Sequence, residues 1–187
     1  MWRVWQMWGH VLIAAFVALP LAALTARHLA FRREKAGHPH PARTAWLDVG
    51  LVLGTLPWLW MILTPAEGTS EIHLVPFQDL ADVLRAGPQT VVVQVGGNLL
   101  VFAALGALLP LRAPRFAGLV PVALVAAAGS AGVEVLQHVL RLGRVSSIDD
   151  VLLNVAGAVA AALVTRRWWR RHNSGRVVSP FRAPKTH

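Results

Sequence analysis

The sequence predicts an all-α integral membrane protein, a helical bundle of five transmembrane helices. Three observations lead there. Of 187 residues, 55% are hydrophobic and only 14% are charged, against about a quarter charged in an ordinary soluble domain. Five stretches stay apolar over nearly the length that a helix needs to cross about 30 Å of hydrocarbon. The basic residues gather at the ends of those stretches and not along a polar face. The net charge of +9 therefore speaks for membrane topology, and no nucleic acid partner is expected.

The predicted spans are residues 8–29, 46–63, 91–109, 116–140 and 148–165. Pro20 and Pro57 fall inside the first two, where a membrane helix absorbs a proline by local kinking. Pro110 and Pro114 bracket the short turn between the third and fourth. Three regions then share one side of the membrane. The first carries Arg27, Arg32, Arg33, Lys35 and Arg43, the second Arg112 and Arg115, and the third the basic residues after 165. Together they hold 14 of the 18 Lys and Arg residues. The excess assigns that side to the cytoplasm, with the N-terminus outside and the C-terminus cytoplasmic. Trp2, Trp5 and Trp8 then fall at the outer interface, and Trp46, Trp168 and Trp169 at the inner one.

The expected location is the cell membrane, multi-pass. Residues 1–45 form the first transmembrane helix and a basic cytoplasmic loop, 46–166 the transmembrane core, and 167–187 a basic cytoplasmic tail, disordered after His172. A cleaved leader is disfavoured, because the basic run RHLAFRREK follows the first span at once and resists export. There are no cysteines, which excludes disulfides, thiol catalysis and thiolate metal sites. In the outer loop, residues 64–90, Phe77, Leu80 and Leu84 recur at helical spacing. They suggest a short amphipathic helix on the outer surface, with a capped surface turn as the plainer alternative.

Three spans carry polar groups that an apolar bundle does not need. The third has Gln94 and Asn98, the fourth Glu134, Gln137 and His138, and the fifth Asp149, Asp150 and Asn154. In the assigned orientation Asn98 and Glu134 both lie roughly 10 Å below the outer surface. Asp150 sits at the outer mouth, with Asn154 one turn below. Asn98, Phe102 and Gly106 share a helical face, as do Glu134, Gln137, His138 and Arg141, and as do Asp150, Asn154 and Gly157. An ionised side chain in the membrane costs several kcal/mol, so these groups are expected to face one another or water. Arg144, in the turn before the fifth span, is within reach of Glu134 or Asp150. Ser146 or Ser147 should cap the fifth helix, with Asp149 or Asp150 three positions on completing a capping box and complementing the helix dipole.

The blocks Asn98-x-x-x-Phe102-x-x-x-Gly106, Glu134-x-x-Gln137, and Arg144 with Asp149-Asp150-x-x-x-Asn154-x-x-Gly157 resemble the motifs of the VanZ-like membrane protein family. The resemblance runs over roughly residues 75–165 and includes Pro76-Phe77. Two positions depart from it. Ala104 replaces a usual proline, which predicts a straighter third helix, and Ser147 replaces a frequent acidic residue. The resemblance implies a small integral membrane protein. Founding members are associated with low-level resistance to teicoplanin-type lipoglycopeptide antibiotics. No catalytic residue carries over.

Four readings of the polar cluster Asn98, Glu134, Gln137, Arg144, Asp149, Asp150 and Asn154 stay open at this point. It can be a structural network or partner-binding module that sets helix register. It can bind a membrane lipid or lipid-linked cell-wall precursor at the outer leaflet, with Arg144 on phosphate and Gln137 or Asn154 on sugar or peptide groups. Glu134 and Asp150 can act as paired carboxylates on a lipid head group. Glu134 and His138, at i and i+4, offer two metal ligands, but no second histidine completes a site. Neither a cofactor nor a metal is implied, and the oligomeric state is left open. The reading adopted is a non-enzymatic envelope protein that binds or shields a lipid-linked ligand.

Overall fold

The computed structural model describes residues 2–174 apart from Thr69. Helix α1 spans Trp2–Lys35 and α2 spans Pro41–Leu63. A loop carries the short strand β1, Ile72–His73, and leads into α3, Gln78–Arg85. Helices α4, Pro88–Val101, and α5, Ala103–Arg112, follow, then a single 3-10 turn at Pro114–Phe116 and α6, Leu119–Val139. Strand β2, Ser146–Ser147, leads directly into α7, Ile148–Ser174. Among the described residues, five helical segments are long and apolar enough to cross a membrane: Gly9–Lys35, Pro41–Leu63, Pro88–Arg112, Leu119–Val139 and Ile148–Arg170. The predicted all-α bundle of five spans is therefore present.

The boundaries shift for physical reasons. The first helix continues through the basic run that was expected to be loop, because nothing between Arg27 and Lys35 breaks it. Pro110 lies inside α5, and the turn begins only at Ala113. Helix α7 runs to Ser174, into the expected tail, and residues 175–187 fall outside the described residues.

The third span is interrupted once. Its two halves meet at Phe102, which leaves helical geometry at φ −107° and ψ 11°. Ala104 was expected to straighten this helix. The break occurs without a proline, at a residue whose ring is buried against Gly129. The Gly106 N–H still donates to the Phe102 carbonyl at 2.9 Å, so α5 restarts at once.

The packing inverts that of a water-soluble bundle. The buried core is small, centred on Val101, Phe102, Val122, Ala126, Ala158 and Ala162. Large apolar side chains such as Phe16, Val92 and Val164 point outward. That is the arrangement expected where lipid is as apolar as the side chains and small residues let helices approach. Helix α7 lies at the centre, against α4, α5 and α6, whereas α1 packs on α2. A Cβ on Gly106 would collide with the Ala158 carbonyl, and one on Gly157 with the Leu99 carbonyl. These two glycines let α4 and α5 cross α7 at backbone contact.

The two ends of the bundle differ. At one, which we call the basic end, Arg33 Nη2 lies 2.6 Å from Asp48 Oδ2 and Arg112 Nε lies 2.5 Å from Asp48 Oδ1. One carboxylate thus joins α1, α2 and α5. At the other, the loop end, β1 and β2 pair in parallel with Ile72 opposite Ser146 and His73 opposite Ser147. The 64–70 and 141–147 segments are stapled there by Ala66 N–H to Leu142 O at 2.8 Å and Gly143 N–H to Ser70 Oγ at 3.2 Å.

Candidate functional site

The sequence-predicted polar residues meet at the loop end, though not in the pairs expected. The start of α7 organises them. Ser147 is its N-cap: its hydroxyl accepts the Asp149 N–H at 3.1 Å, which satisfies one of the helix's free donors. In a capping box the reciprocal bond to the N-cap N–H comes from the same helix. Here it comes from α6, whose Glu134 Oε2 accepts the Ser147 N–H at 3.1 Å. The Ser146 hydroxyl donates to the Glu134 carbonyl at 3.0 Å. Glu134 thus ties the end of one span to the start of the next.

Asp149 was expected to serve its own helix. Instead its carboxylate reaches the loop and accepts the Phe77 N–H at 2.6 Å and the Leu80 N–H at 3.0 Å. It caps the N-terminus of α3 from 69 to 72 residues away in sequence. Phe77 sits at φ 67°, a left-handed conformation that costs a non-glycine residue roughly 1–2 kcal/mol. The charge-assisted bonds from Asp149 offset that cost.

Arg144 was placed within reach of Glu134 or Asp150. Its guanidinium donates to the carbonyls of Thr64 at 3.1 Å and Met61 at 3.2 Å, at the end of α2. Gln137, only 6% exposed, donates to the neighbouring Ile62 carbonyl at 2.7 Å. Two side chains thus meet the carbonyls that the last turn of α2 leaves unpaired. Burial lowers the Arg144 pKa from its ordinary value, and the nearby Asp150 charge opposes that shift.

The remaining residues face one another between helices. Asn98 on α4 donates from its amide to Asp150 Oδ1 on α7. Glu134, bonded to the Ser147 N–H, sits at the start of α7, where Ser147 is three residues before Asp150 in the chain. One turn deeper, Asn154 Nδ2 donates to Ser130 Oγ on α6 at 2.7 Å. Asn154 is 3% exposed, and its Oδ1 has no hydrogen-bond partner. Asn98, Glu134, Asp150 and Asn154, from three helices, therefore line one polar seam. Gln94 and His138 do not join it; both are exposed. The expected stripe through His138 and Arg141 splits because α6 ends at Val139 and Arg141 turns away at φ 50°.

Sequence reasoning missed a second cluster. The Asp79 carboxylate accepts the Ser147 hydroxyl through Oδ2 and bonds His73 Nδ1 through Oδ1, 2.6 Å away. Burial alone would raise the Asp79 pKa, but the bonds from Ser147 and His73 hold it below its ordinary value. The same Asp79 bond raises the pKa of His73, and Glu71, 3.5 Å away, adds to it. No local pattern announces a pairing that depends on two strands meeting across the loop. The Arg33–Asp48–Arg112 network was also missed. Its signal was present, as Asp48 is the lone acid in the second span.

Comparison with curated proteins finds no match, and neither does comparison with solved structures. The VanZ/LLP1 family model does match, over residues 51–170. The matched segment runs from the middle of α2 to near the end of α7 and contains every residue of the seam, the glycines that seat α4 and α5 on α7, and the loop cluster. On that match the chain belongs to the VanZ/LLP1 family.

Proposed function

We propose that the polar seam binds, and so shields, the head group of a lipid-linked envelope ligand, and that the loop end faces out of the cell. The observation that carries this reading is the seam itself. Asn98 meets Asp150, Glu134 meets the start of α7 and Asn154 meets Ser130, so polar groups of three helices gather at the loop end, and the buried Asn154 Oδ1 lacks a donor. A bundle held only by packing has no use for such groups, which are costly within a membrane. Gln137, Arg144 and Asp149 are engaged in holding α2 and α3, and Glu134 Oε2 holds the start of α7, so the ligand-facing role falls to Asn98, Asp150 and Asn154, with the second Glu134 oxygen beside them. Carboxylates and amide oxygens accept hydrogen bonds, which suits the hydroxyl and amine groups of a sugar-peptide head group. In this reading the protein lowers sensitivity to teicoplanin-type antibiotics by covering that head group.

The orientation rests on the positive-inside rule applied to the basic end. Because the chain has no cysteine, single cysteines report it cleanly. Glu67→Cys should be labelled on intact cells by an impermeant maleimide, and Arg115→Cys only after lysis. The reverse pattern would refute the placement. Binding is tested with the purified protein in nanodiscs and a fluorescent polyprenyl-linked disaccharide-peptide. The wild type should bind saturably, and Asp150→Asn and Asn98→Ala should each weaken binding about tenfold, or roughly 1.4 kcal/mol, with the fold retained. Absence of binding, or equal binding by all three proteins, would sink the proposal. The enzymatic alternative through Glu134 and Asp150 predicts that the same probe is consumed over time.

A further inference from the structure

A groove lies between α1 and α2, away from the polar seam. Its volume is about 490 Å³, and its walls include Val11, Ala15, Ala18, Leu29, Leu56 and Trp60. The residues at its basic-end mouth are Leu29 and Asp48. Helix α1 and Asp48 precede the family-matched segment 51–170, so the match does not cover the α1 wall or Asp48. The volume falls within the roughly 300–1,000 Å³ range of ligand pockets. Along α2 the lining runs from Asp48 to Trp60, roughly 18 Å at the helical rise. That exceeds half of the roughly 30 Å hydrocarbon thickness.

The mouth carries charge. Two guanidinium groups, Arg33 and Arg112, share the single Asp48 carboxylate, so the cluster keeps one positive charge in excess. Arg33 lies four residues beyond Leu29, on the helical face that lines the groove. Its Nη1 is buried and has no hydrogen-bond partner, while the side chain as a whole remains 19% exposed. A buried N–H without an acceptor is costly, and turning the guanidinium toward the mouth would present it to an anion.

We propose that this groove is a binding site for one phospholipid with an anionic head group: an acyl chain lies between α1 and α2, and the phosphate sits on Arg33 at the basic end. Small side chains on α1 make the room, and the excess guanidinium charge selects the head group. The site is separate from the seam, so either proposal can fail without the other.

Native mass spectrometry of the full-length protein, titrated with phosphatidylglycerol or phosphatidylcholine of matched chains, tests it. The first phosphatidylglycerol should bind about tenfold more tightly than phosphatidylcholine, a difference of roughly 1.4 kcal/mol. Ala18→Phe, which fills the groove, should weaken both about tenfold. Arg33→Gln should bring phosphatidylglycerol down to the phosphatidylcholine level and leave the latter unchanged. Val120→Phe, on an outward-facing position of α6, should change neither. If Ala18→Phe loses its melting transition, Ala14→Leu provides a smaller block of the same groove. Equal phosphatidylglycerol binding by the wild type and the filled variant would overturn the proposal. So would a preference that survives Arg33→Gln, or a dimer that groove filling abolishes.

Discussion

The Glu134 carboxylate accepts the backbone N–H of Ser147 at 3.1 Å, so the donor at the start of α7 is satisfied from the end of α6. Ser147 is 5% exposed, and a buried donor left alone costs about 1–3 kcal/mol. Glu134→Ala should therefore destabilise the protein by about that amount in thermal melts. Glu134→Gln keeps an acceptor oxygen and should melt close to the wild type. Equal losses for the two variants would show that charge, not hydrogen bonding, is what α7 requires of this position.

Asp149 should matter more to α3 than to its own helix. Removing it leaves the Phe77 and Leu80 N–H groups without their acceptor and the left-handed Phe77 without support. Asp149→Ala should cost about 1–2 kcal/mol, as for loss of an N-cap. Its effect should appear as faster amide exchange over residues 77–85 than over α7. Unchanged protection of α3 would mean that the helix holds itself.

Gly157→Ala tests the crossing of α4 and α7. Alanine is the better helix former by up to about 1 kcal/mol, so a free helix would gain. Here the new Cβ meets the Leu99 carbonyl, which belongs to a helix backbone and cannot rotate aside. The expected result is a net loss of about 1–3 kcal/mol from overpacking. Gly96→Ala, where nothing lies within 4 Å, is the control and should be neutral or stabilising. A stabilised Gly157→Ala would disprove the close approach.

The loop end should respond to pH through His73 and Asp79. The pKa of His73 is raised above 6.5 by its bond to Asp79. Its contribution is therefore full below pH 6.5 and fades as pH rises through the higher folded-state value. The pKa of Asp79 is held below 3.8, so its contribution is present above that value and fades as pH falls through the lower one. Protection of the 71–79 segment in amide exchange should be greatest in between. His73→Gln should flatten the alkaline limb and weaken the acidic one, leaving the part of the latter that the Ser147 bond to Asp79 sustains. Superimposable profiles for the wild type and His73→Gln would exclude the pair as the cause.

What could be foreseen from sequence divides along a physical line. The five spans were legible because hydrocarbon thickness sets helix length. Asn98, Glu134, Asp150 and Asn154 were legible because polar residues in apolar runs must find partners. The serine cap and the amphipathic segment at 77–84 follow from local chemistry alone, and both are present. The acceptors of Arg144 and Gln137 were not legible, because they are backbone carbonyls of α2 and no residue type reveals those. Asp149 does lie in the first turn of its own helix, but its hold on the loop was not legible, for a related reason. Its local pattern fits its own helix, and only the fold brings Phe77 and Leu80 nearer. The break at Phe102 was hidden because no proline or glycine marks it in the sequence.

The central place of α7 bears on biogenesis. It supplies the partner for Asn98, Ser130 and Gly106, yet it follows all of them in the chain. During synthesis the earlier helices must enter the bilayer with these groups unmatched, and the bundle closes only when the final segment arrives. A truncation just before Ile148 should leave an insertion intermediate that chaperones hold or proteases remove.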